Sequence, residues 1–416
     1  MNVQIVPHPL SGKISAVGSK SFAHRALIAS AFLKSEPTDI LGITVSQDVL
    51  ATVDCLRALG ATVEAGDVFH VVPATHVPAC AVLNCRESGS TLRFLLPVVA
   101  ALGVSATFCG SPRLFQRPTQ SLVETLQKGG VNVDGRKLSG KLCAGDFEIE
   151  SGVSSQYVSG MLLALSMLRG ESRLSLKGNV VSKQYVDVTL EVLKRFGVEV
   201  ERTEFGFLVK GDEKHISPRS FTVEGDWSNA AFMLVAGALG DVTVCGLNPC
   251  SCQGDREITS ILELCGANVQ ADENCIRVQK GKLNAFKADA RHIPDAVPAL
   301  AVLAAFCKGT TEICGVERLR DKESDRLTNV LKTLREASVG AVFEGGALKI
   351  TGGVPQGAIF DADNDHRMAM SQTILALYAK GNSKIIGAEC VDKSYPEFFR
   401  DVQRLGGDNC VLLERK

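Results

Sequence analysis

Six apolar helices with polar starts recur along the chain at intervals of roughly seventy residues. Their bodies are hydrophobic nearly all round, which is typical of helices buried inside a domain. Ser, Asp or Asn stands at or near most of the starts, as helix capping requires. The six segments are SKSFAHRALIASAFLKS, SGSTLRFLLPVVAALGVS, SSQYVSGMLLALSMLRGES, DWSNAAFMLVAGALGDV, DAVPALAVLAAFCKGT and DHRMAMSQTILALYAKGNS. Pro97 and Pro298 fall inside two of them and predict bends.

A second series of helices alternates with the first, and each member ends at or near a glycine before a β-branched strand. Glycine tolerates the left-handed conformation that closes a helix. Short strands such as VFHVVP and ALKITGG complete each repeat, which is therefore predicted to be an α/β unit. The second series comprises LRALGATVE from Leu56, LQKGGVNVD from Leu126, LKRFGVEVE from Leu193, LELCGANVQ from Leu262, LREASVGAVFE from Leu334 and VQRLGGDNCV from Val402.

Six such repeats account for all 416 residues. A chain of this length exceeds one ordinary core, so we predict two lobes of three repeats, joined near Glu224 before EGDWSNAAF. Periodicity alone leaves open a solenoid whose helix starts serve only packing. If the buried helices instead share one orientation, their starts bring positive dipole ends to one place. The residues at the starts distinguish the two interpretations.

The helix starts and the loops between them carry cations, hydroxyls and a few carboxylates. Each set taken singly has an ordinary explanation as a cap or a solvated face. Lys and Arg at the entrance of apolar helices, however, are costly to desolvate without an anionic partner. Together they predict a site for a multiply anionic ligand. The residues are Lys20, Ser21, Arg25, Ser88, Gly89, Ser90, Arg93, Arg117, Ser154, Ser155, Gln156, Ser182, Lys183, Tyr185, Asp226, Asp295, Lys322, Glu323, Arg326, His366, Arg367 and Lys393.

The first start is not a nucleotide P-loop. Ser19 separates Lys20 from Gly18, and Lys13 stands where that motif needs its first glycine. Free N–H groups beside a cation still favour phosphate or carboxylate. We therefore predict an anion site there, without ATP.

Composition argues against several other classes. The net charge of −1 and the isoelectric point near 6.7 disfavour a general nucleic-acid or anionic-membrane surface. No stretch reaches the length of a membrane span and the N-terminus lacks a targeting pattern, so we expect a cytoplasmic protein. The 14 cysteines are dispersed and are expected to be mostly buried small hydrophobes. Cys250 and Cys252 lack a second pair at zinc spacing, so no metal is expected.

The chain resembles the EPSP synthase (3-phosphoshikimate 1-carboxyvinyltransferase) family from end to end. The resemblance is carried, in the family's order, by GSKSFAHRALI, ESGSTLRF, RLFQRPTQSL, SSQYVSGML, VSKQYVD, GDWSNAAF, HIPDAVPALA, DKESDRL, DNDHRMAM and KSYPEFF. It implies the α/β enolpyruvyl transferase fold, an inside-out α/β barrel of βαβαββ-type repeats with buried parallel helices. Residues 20–224 would form one lobe and residues 1–19 plus 225–416 the other, with the active site in the cleft.

The implied reaction transfers the enolpyruvyl group of phosphoenolpyruvate to the 5-hydroxyl of shikimate 3-phosphate and releases phosphate. The resemblance implies no metal or organic cofactor. Small-molecule substrates are the only partners expected, without nucleic acid or membrane, and a monomer is expected. Glyphosate should inhibit.

Residue roles follow from the resemblance, motif by motif. Glu323 would protonate the methylene carbon of the donor, Asp295 would accept the hydroxyl proton, and Lys20 would steady the developing charge. Both carboxylates lie among cations that should lower their pKa. Shikimate 3-phosphate would contact Lys20, Ser21, Arg25, Ser154, Ser155, Gln156, Ser182, Tyr185, Asp295 and Lys322. Phosphoenolpyruvate would contact Lys20, Gly89, Arg117, Gln156, Arg326, Arg367 and Lys393.

Three positions need comment. A side chain at Gly89 would intrude on the smaller substrate, so glycine is expected there. Arg318 stands where some members have Asn, and Phe94 stands where others have Pro. Neither Arg318 nor Phe94 is assigned a role.

Three other functions remain open: enolpyruvyl transfer to a UDP-sugar, phosphoanion binding without catalysis, and nucleotidyl transfer at an RNA end. The UDP-sugar enzymes usually carry Asn after the first Lys and a Cys or Asp in a mobile loop, whereas Ser21 follows Lys20 here and LFQRPTQ has no Cys. The neutral isoelectric point disfavours RNA. Carboxylates among the cations disfavour binding alone, because they would repel the ligand.

Overall fold

The computed structural model describes residues 1–33, 36–178, 181–211 and 218–414. The chain divides into two compact units. Unit 1 comprises Met1–Val17 and Glu224–Lys416, and unit 2 comprises Gly18–Val223. Unit 1 is therefore discontinuous in sequence, because all of unit 2 lies between its two segments.

Helices and groups of one to three strands follow one another along both units. The strands are β1 (Asn2–Ile5), β2 (Ser11–Ser15), β3 (Thr38–Leu41), β4 (Thr62–Glu64), β5 (Val68–Val72), β6 (Cys80–Asn84), β7 (Ser105–Cys109), β8 (Asn132–Asp134), β9 (Lys137–Ser139), β10 (Asp146–Glu150), β11 (Gly170–Lys177), β12 (Val200–Thr203), β13 (Gly206–Gly211), β14 (Ser220–Thr222), β15 (Asp241–Cys245), β16 (Asn268–Ala271), β17 (Cys275–Gln279), β18 (Lys287–Asp289), β19 (Thr310–Cys314), β20 (Gly340–Glu344), β21 (Ala347–Thr351), β22 (Ile359–Asp361), β23 (Ser383–Ile386) and β24 (Val411–Glu414).

The α-helices are α1 (Lys20–Phe32), α2 (Gln47–Ala58), α3 (Gly89–Leu102), α4 (Pro112–Gln116), α5 (Gln120–Lys128), α6 (Ser155–Leu165), α7 (Lys183–Arg195), α8 (Trp227–Leu239), α9 (Ile258–Cys265), α10 (Val297–Phe306), α11 (Arg326–Glu336), α12 (His366–Tyr378) and α13 (Phe398–Gly406). Short 3-10 helices cover Gly254–Glu257, Pro294–Ala296, Glu317–Asp321, Ala388–Lys393 and Asp408–Cys410.

Within the described residues the strands form six sheets of four strands, and all six share one topology. Each sheet has a parallel pair at one edge, and the other neighbouring strands are antiparallel. The sheets of unit 2 are β14-β3-β5-β4, β6-β7-β9-β8 and β10-β11-β13-β12. Those of unit 1 are β2-β15-β17-β16, β18-β19-β21-β20 and β22-β23-β1-β24. The six predicted repeats are thus confirmed as α/β units.

Three sheets are completed by a strand that is distant in sequence. In unit 2, β14 pairs parallel with β3. In unit 1, β2 pairs parallel with β15, and β1 lies between β23 and β24 with antiparallel pairing on both sides. The N-terminal segment therefore belongs to unit 1 through two separate sheets.

Three helices in each unit are buried along nearly their whole length, namely α1, α3 and α6 in unit 2 and α8, α10 and α12 in unit 1. The three of unit 1 pack against one another, and α6 packs against both α1 and α3. Since each such helix has protein around it, apolar side chains on all faces are satisfied. The buried helices of unit 1 contribute fully buried side chains such as Phe232, Leu300 and Ile374 to its core.

The predicted bend at Pro298 is wrong. Pro97 does lie inside α3, but Pro298 is the second residue of α10. A proline in the first turn removes an N–H that has no partner within the helix, so it is tolerated there. The 3-10 turn Pro294–Ala296 leads directly into α10, which begins without the Ser or Asp N-cap of the other buried helices.

The cysteines differ from the expectation that most are buried. Cys245 and Cys275 face each other on β15 and β17 and form a disulfide. Four thiols are exposed: Cys80, Cys143, Cys250 and Cys314. Six of the 14 cysteines are buried free thiols: Cys55, Cys85, Cys265, Cys307, Cys390 and Cys410.

Candidate active site

In unit 2 the starts of α3 and α6 lie side by side. Arg93 Nη1 on α3 donates to Gln156 Oε1 on α6 at 3.0 Å, and Gln156 Nε2 donates back to Ser90 Oγ at 2.9 Å. The Ser154 hydroxyl caps α6 by accepting from the Gln156 backbone N at 3.3 Å. Ser155 is the first residue of that helix and is buried. Predicted ligand-binding groups on two helices are therefore brought to one place.

Arg25 joins α1 to this group as a buried cation. Its guanidinium donates to uncharged acceptors among the described residues: Nε to Thr189 Oγ1 at 2.6 Å, Nη1 to Ser21 O at 2.7 Å, and Nη2 to Ser159 Oγ at 3.1 Å and Tyr185 O at 2.9 Å. These bonds connect α1 with α6 and α7. They also place the predicted residues Ser21 and Tyr185 next to Arg25.

Lys20, the first residue of α1, forms an ion pair with Asp48 on α2. The distance from Nζ to Oδ2 is 2.7 Å, and both side chains are mostly buried. Sequence reasoning missed Asp48. A signal was present, because Ser46 caps α2 and Asp48 lies in its first turn, so SQDV is another polar start.

Gly89, the first residue of α3, lies against two buried guanidinium groups. A β-carbon at this position would lie 2.5 Å from Arg117 Nη1 and 2.7 Å from Arg93 Nη1. The carbonyl of Pro118, next to Arg117, accepts from Arg93 Nη2 at 3.0 Å and from the Tyr157 hydroxyl at 2.6 Å. A side chain here would therefore displace the ends of both arginines, in addition to taking the space predicted for a ligand.

Ser182 occupies a left-handed backbone conformation, with φ 51° and ψ 47°, at the N-cap of α7. For a residue other than glycine this conformation costs about 1–2 kcal/mol. The Tyr185 backbone N donates to the Ser182 carbonyl at 3.1 Å, which closes the first turn of the helix. Ser182 and Tyr185, both predicted to contact shikimate 3-phosphate, therefore lie together at the start of one helix.

Unit 1 collects its predicted residues around Asp295. Oδ1 of Asp295 accepts from Lys322 Nζ at 3.1 Å and from Arg326 Nη1 at 2.9 Å, and Oδ2 accepts from Arg367 Nη2 at 3.3 Å. Arg326 Nη2 also donates to Glu323. Both predicted catalytic carboxylates therefore share one ion network with three predicted binding cations.

Asp365, to which the sequence assigned no role, anchors this network. It is fully buried and caps α12 by accepting from the Arg367 backbone N at 3.0 Å. Its carboxylate accepts from Arg326 Nε at 2.7 Å and from Ser324 Oγ at 3.1 Å. The sequence could have indicated Asp365, because it stands directly before a buried helix in DNDHRMAM and such a helix needs an N-cap residue.

The starts of α8, α10 and α12 also meet within unit 1. Arg367 Nη1 donates to the Ser228 carbonyl on α8 at 3.2 Å and to the Asp295 carbonyl at 3.3 Å. Lys393 Nζ donates to the carbonyl of Asn364, just before the α12 cap. The expected convergence of helix starts is therefore found within this unit.

The charges of the network perturb one another. Burial raises the pKa of Asp295, but Arg367, Lys322 and Arg326 outweigh it and hold the pKa well below its usual range. Burial lowers the pKa of Lys322, and the Asp295 carboxylate opposes that shift. Asp295 is therefore ionised at neutral pH, as expected from its cationic surroundings.

A comparison with known proteins decides the family. Residues 6–402 match the family model for EPSP synthase (3-phosphoshikimate 1-carboxyvinyltransferase). The chain belongs to the EPSP synthase family. A relative from Clostridium kluyveri, named 3-phosphoshikimate 1-carboxyvinyltransferase, is 37% identical over 98% of this chain and 97% of that protein.

Solved structures confirm the predicted fold class. EPSP synthase from Acinetobacter baumannii superposes with a TM-score of 0.83 at 23% identity, covering 100% of both chains. The enolpyruvyl transferase NikO from Streptomyces tendae gives a TM-score of 0.76 at 18% identity, covering 99% of this chain and 98% of that one. The α/β enolpyruvyl transferase fold is therefore shown for this EPSP synthase family member.

The predicted site residues divide between the units. Each set converges within its own unit, and the role of each residue toward a ligand stays a prediction. Unit 2 holds Lys20, Ser21, Arg25, Gly89, Arg117, Ser154, Ser155, Gln156, Ser182 and Tyr185, and unit 1 holds Asp295, Lys322, Glu323, Arg326, Arg367 and Lys393.

Within the described ranges, no helix combines the length and apolarity needed to cross a membrane, and no three His, Cys, Asp or Glu side chains are grouped to hold a metal ion.

A series of buried hydrogen bonds joins α1, α2 and α3 of unit 2 near the start of α3. His24 Nδ1 and Thr52 Oγ1 are 2.7 Å apart, Thr52 Oγ1 and Thr91 Oγ1 are 2.7 Å apart, and Thr91 Oγ1 donates to Ser88 Oγ at 2.7 Å. These bonds connect α1, α2 and the N-cap of α3. His24 Nε2 is buried and has no hydrogen-bond partner among the described residues.

We expect acid to destabilise unit 2 through His24. Burial, then the charges of Lys20 and Arg25, lower the pKa of His24 well below its usual value. Below about pH 6.5 the imidazole takes up a proton in the unfolded chain but stays neutral in the folded chain. The free energy of unfolding therefore falls by up to about 1.4 kcal/mol for each unit by which the pH is lowered. Urea unfolding between pH 8 and 5 should show this slope in the wild type and its loss in His24→Asn. Equal slopes would contradict it.

Proposed function

We propose that this chain transfers the enolpyruvyl group of phosphoenolpyruvate to the 5-hydroxyl of shikimate 3-phosphate, releasing phosphate. Membership of the EPSP synthase family over residues 6–402 supports this reaction. The two substrates carry about five or six negative charges at neutral pH, which matches cations held at helix starts. The observation that carries the proposal is the Asp295 network, because it joins two carboxylates suited to proton transfer with three cations suited to anionic substrates.

The binding roles are assigned by the chemistry of the groups. Hydroxyls and the planar Arg25 fork suit the phosphate, carboxylate and ring hydroxyls of the acceptor, whereas Gly89 leaves room for the smaller donor. We assign shikimate 3-phosphate to Lys20, Ser21, Arg25, Ser154, Ser155, Gln156, Ser182, Tyr185, Asp295 and Lys322. We assign phosphoenolpyruvate to Lys20, Gly89, Arg117, Gln156, Arg326, Arg367 and Lys393.

Exchange of ion-pair partners connects binding to proton transfer. An anionic substrate that draws Lys322, Arg326 and Arg367 away from Asp295 removes the charges that depress its pKa. The Asp295 carboxylate then becomes a stronger base. Arg326 likewise leaves Glu323, which frees that carboxyl group for proton transfer. Substrate binding thereby prepares an acid and a base from two carboxylates that are both paired beforehand.

The chemical steps then follow. Asp295 accepts the proton of the 5-hydroxyl group while the oxygen of that hydroxyl attacks C2 of phosphoenolpyruvate. Glu323 donates a proton to C3, which becomes a methyl group. Lys20 and the arginines would balance the carboxylate and phosphate charges of the tetrahedral adduct. Elimination returns the C3 proton to Glu323 and the Asp295 proton to the leaving phosphate. The atoms and charges of the two substrates balance without any further reactant.

Asp295→Ala and Glu323→Gln are each expected to lose most of the turnover, by at least about 100-fold, because each removes one proton-transfer group. Both variants should still bind shikimate 3-phosphate in titration calorimetry. Glu344→Gln, at an exposed carboxylate of unit 1, is the control and should keep full turnover. Near wild-type phosphate release by either test variant would contradict the assignment.

Gly89→Ala is expected to raise the KM for phosphoenolpyruvate about tenfold or more, with a smaller effect on shikimate 3-phosphate. The added methyl group would displace the Arg117 and Arg93 guanidinium groups from their present positions. Gly145→Ala is the matched control, since a β-carbon there meets nothing within 4 Å. Steady-state kinetics with each substrate varied in turn would measure the effect, and an unchanged KM for the donor would refute it.

The reaction itself is tested by measuring phosphate release from phosphoenolpyruvate with different acceptors. Release should require shikimate 3-phosphate and should fail with a UDP-sugar. Release with the UDP-sugar alone would identify the sister activity, and no release with either would leave phosphoanion binding as the better account. We further propose a cytoplasmic monomer that needs no cofactor and is inhibited by glyphosate.

A further inference from the structure

Phe94 is a fully buried residue of α3 whose ring faces the guanidinium of Arg25. The distance from Arg25 Cζ to the ring centroid is 4.7 Å. Phe94 directly follows Arg93, which hydrogen-bonds to Gln156 and Pro118. The ring therefore brings a helix of the donor side into contact with a cation of the acceptor side, within unit 2.

Arg25 is held both by hydrogen bonds and by its contact with the Phe94 ring. The described acceptors of Arg25 lie around the edge of the guanidinium, where its N–H groups point. An aromatic face attracts a cation within about 6 Å of its centroid, and the attraction grows when both groups are desolvated. Arg25 and Phe94 are both buried, with exposures of 2% and 0%. The ring therefore adds an attraction to the buried cation beside its hydrogen bonds.

The backbone beneath the ring is fixed by close helix packing. A β-carbon at Gly160 of α6 would lie 2.5 Å from the Arg93 carbonyl oxygen and 3.3 Å from Phe94 Cα. The two helices thus approach to backbone contact at this point. The position of the Phe94 ring is set by the same packing that sets Arg93.

We propose that Phe94 is a positioning residue whose ring holds Arg25 in place for shikimate 3-phosphate. The inference rests on the assignment of Arg25 to the acceptor under the proposed function. It predicts that the electrostatic character of the ring, beyond its volume, sets the affinity for the acceptor.

Graded fluorination of Phe94 tests this. Nonsense suppression introduces 4-fluoro-, 3,5-difluoro- and 3,4,5-trifluorophenylalanine, which weaken the negative face of the ring stepwise with little change of shape. The dissociation constant for shikimate 3-phosphate, from calorimetry, should rise at each step and reach several-fold with three fluorines. The KM for phosphoenolpyruvate and the thermal midpoint should change little. A dissociation constant that stays flat across the series would overturn the proposal.

Two controls separate the possible failures. The same series at Phe108, an equally buried ring on β7 of unit 2, should leave acceptor affinity unchanged, and an equal effect there would overturn the proposal. Arg25→Lys keeps the charge but loses the planar fork, so it should weaken acceptor binding at least tenfold. If Arg25→Lys binds normally, the role of Arg25 in the proposed function fails as well. If it binds poorly while fluorination has no effect, only the role of Phe94 fails.

Discussion

The cost of removing charge from water at the starts of buried helices governs both units. The six central helices are apolar on all sides, so polar groups are concentrated at their ends, where unpaired backbone N–H groups also lie. Every charged group placed there must find partners inside the protein. The Asp365 carboxylate shows this most directly, because it is fully buried and at once caps α12 and pairs with Arg326. A helix start is thus also the place where an anionic substrate can take over partners that the protein supplies.

The two units meet this cost in different ways. In unit 2 the described acceptors of Arg25 are hydroxyls and carbonyls, with an aromatic face beside them, while Lys20 has Asp48 as its carboxylate partner. In unit 1 the cations Lys322, Arg326 and Arg367 are paired with carboxylates, namely Asp295, Glu323 and Asp365. Uncharged acceptors leave the positive charge of an arginine largely intact for a ligand, which suits binding. Carboxylates balance the charge of the cations that they pair with, and the proton affinity of a carboxylate depends on how close those cations lie.

The sequence predicted those features that depend on residues close together along the chain, namely the repeats and the helix starts. The repeats were visible because apolar stretches and glycine stops recur locally, and Asp365 could have been found by the same capping rule. The strands β1, β2 and β14 could not be placed in their sheets, since their partners lie far away in sequence. The ion pair of Asp48 with Lys20 and the contact of Phe94 with Arg25 depend on how separate helices pack. Pro298 was misplaced because a 3-10 turn, rather than the helix itself, covers the start of DAVPALA.

One repeated unit offers six equivalent helix starts, and their chemistry has diverged. Asp226 at the start of α8 caps its helix by accepting from the Asn229 backbone N at 2.8 Å, which is a structural role. The equivalent place before α10 holds Asp295, whose carboxylate faces three cations instead. Oriented N–H groups at helix starts favour anionic partners, and the side chains placed there differ between a cap at Asp226 and an ion network at Asp295. The repeated fold therefore fixes where the helix starts lie, and the side chains at each start determine its chemistry.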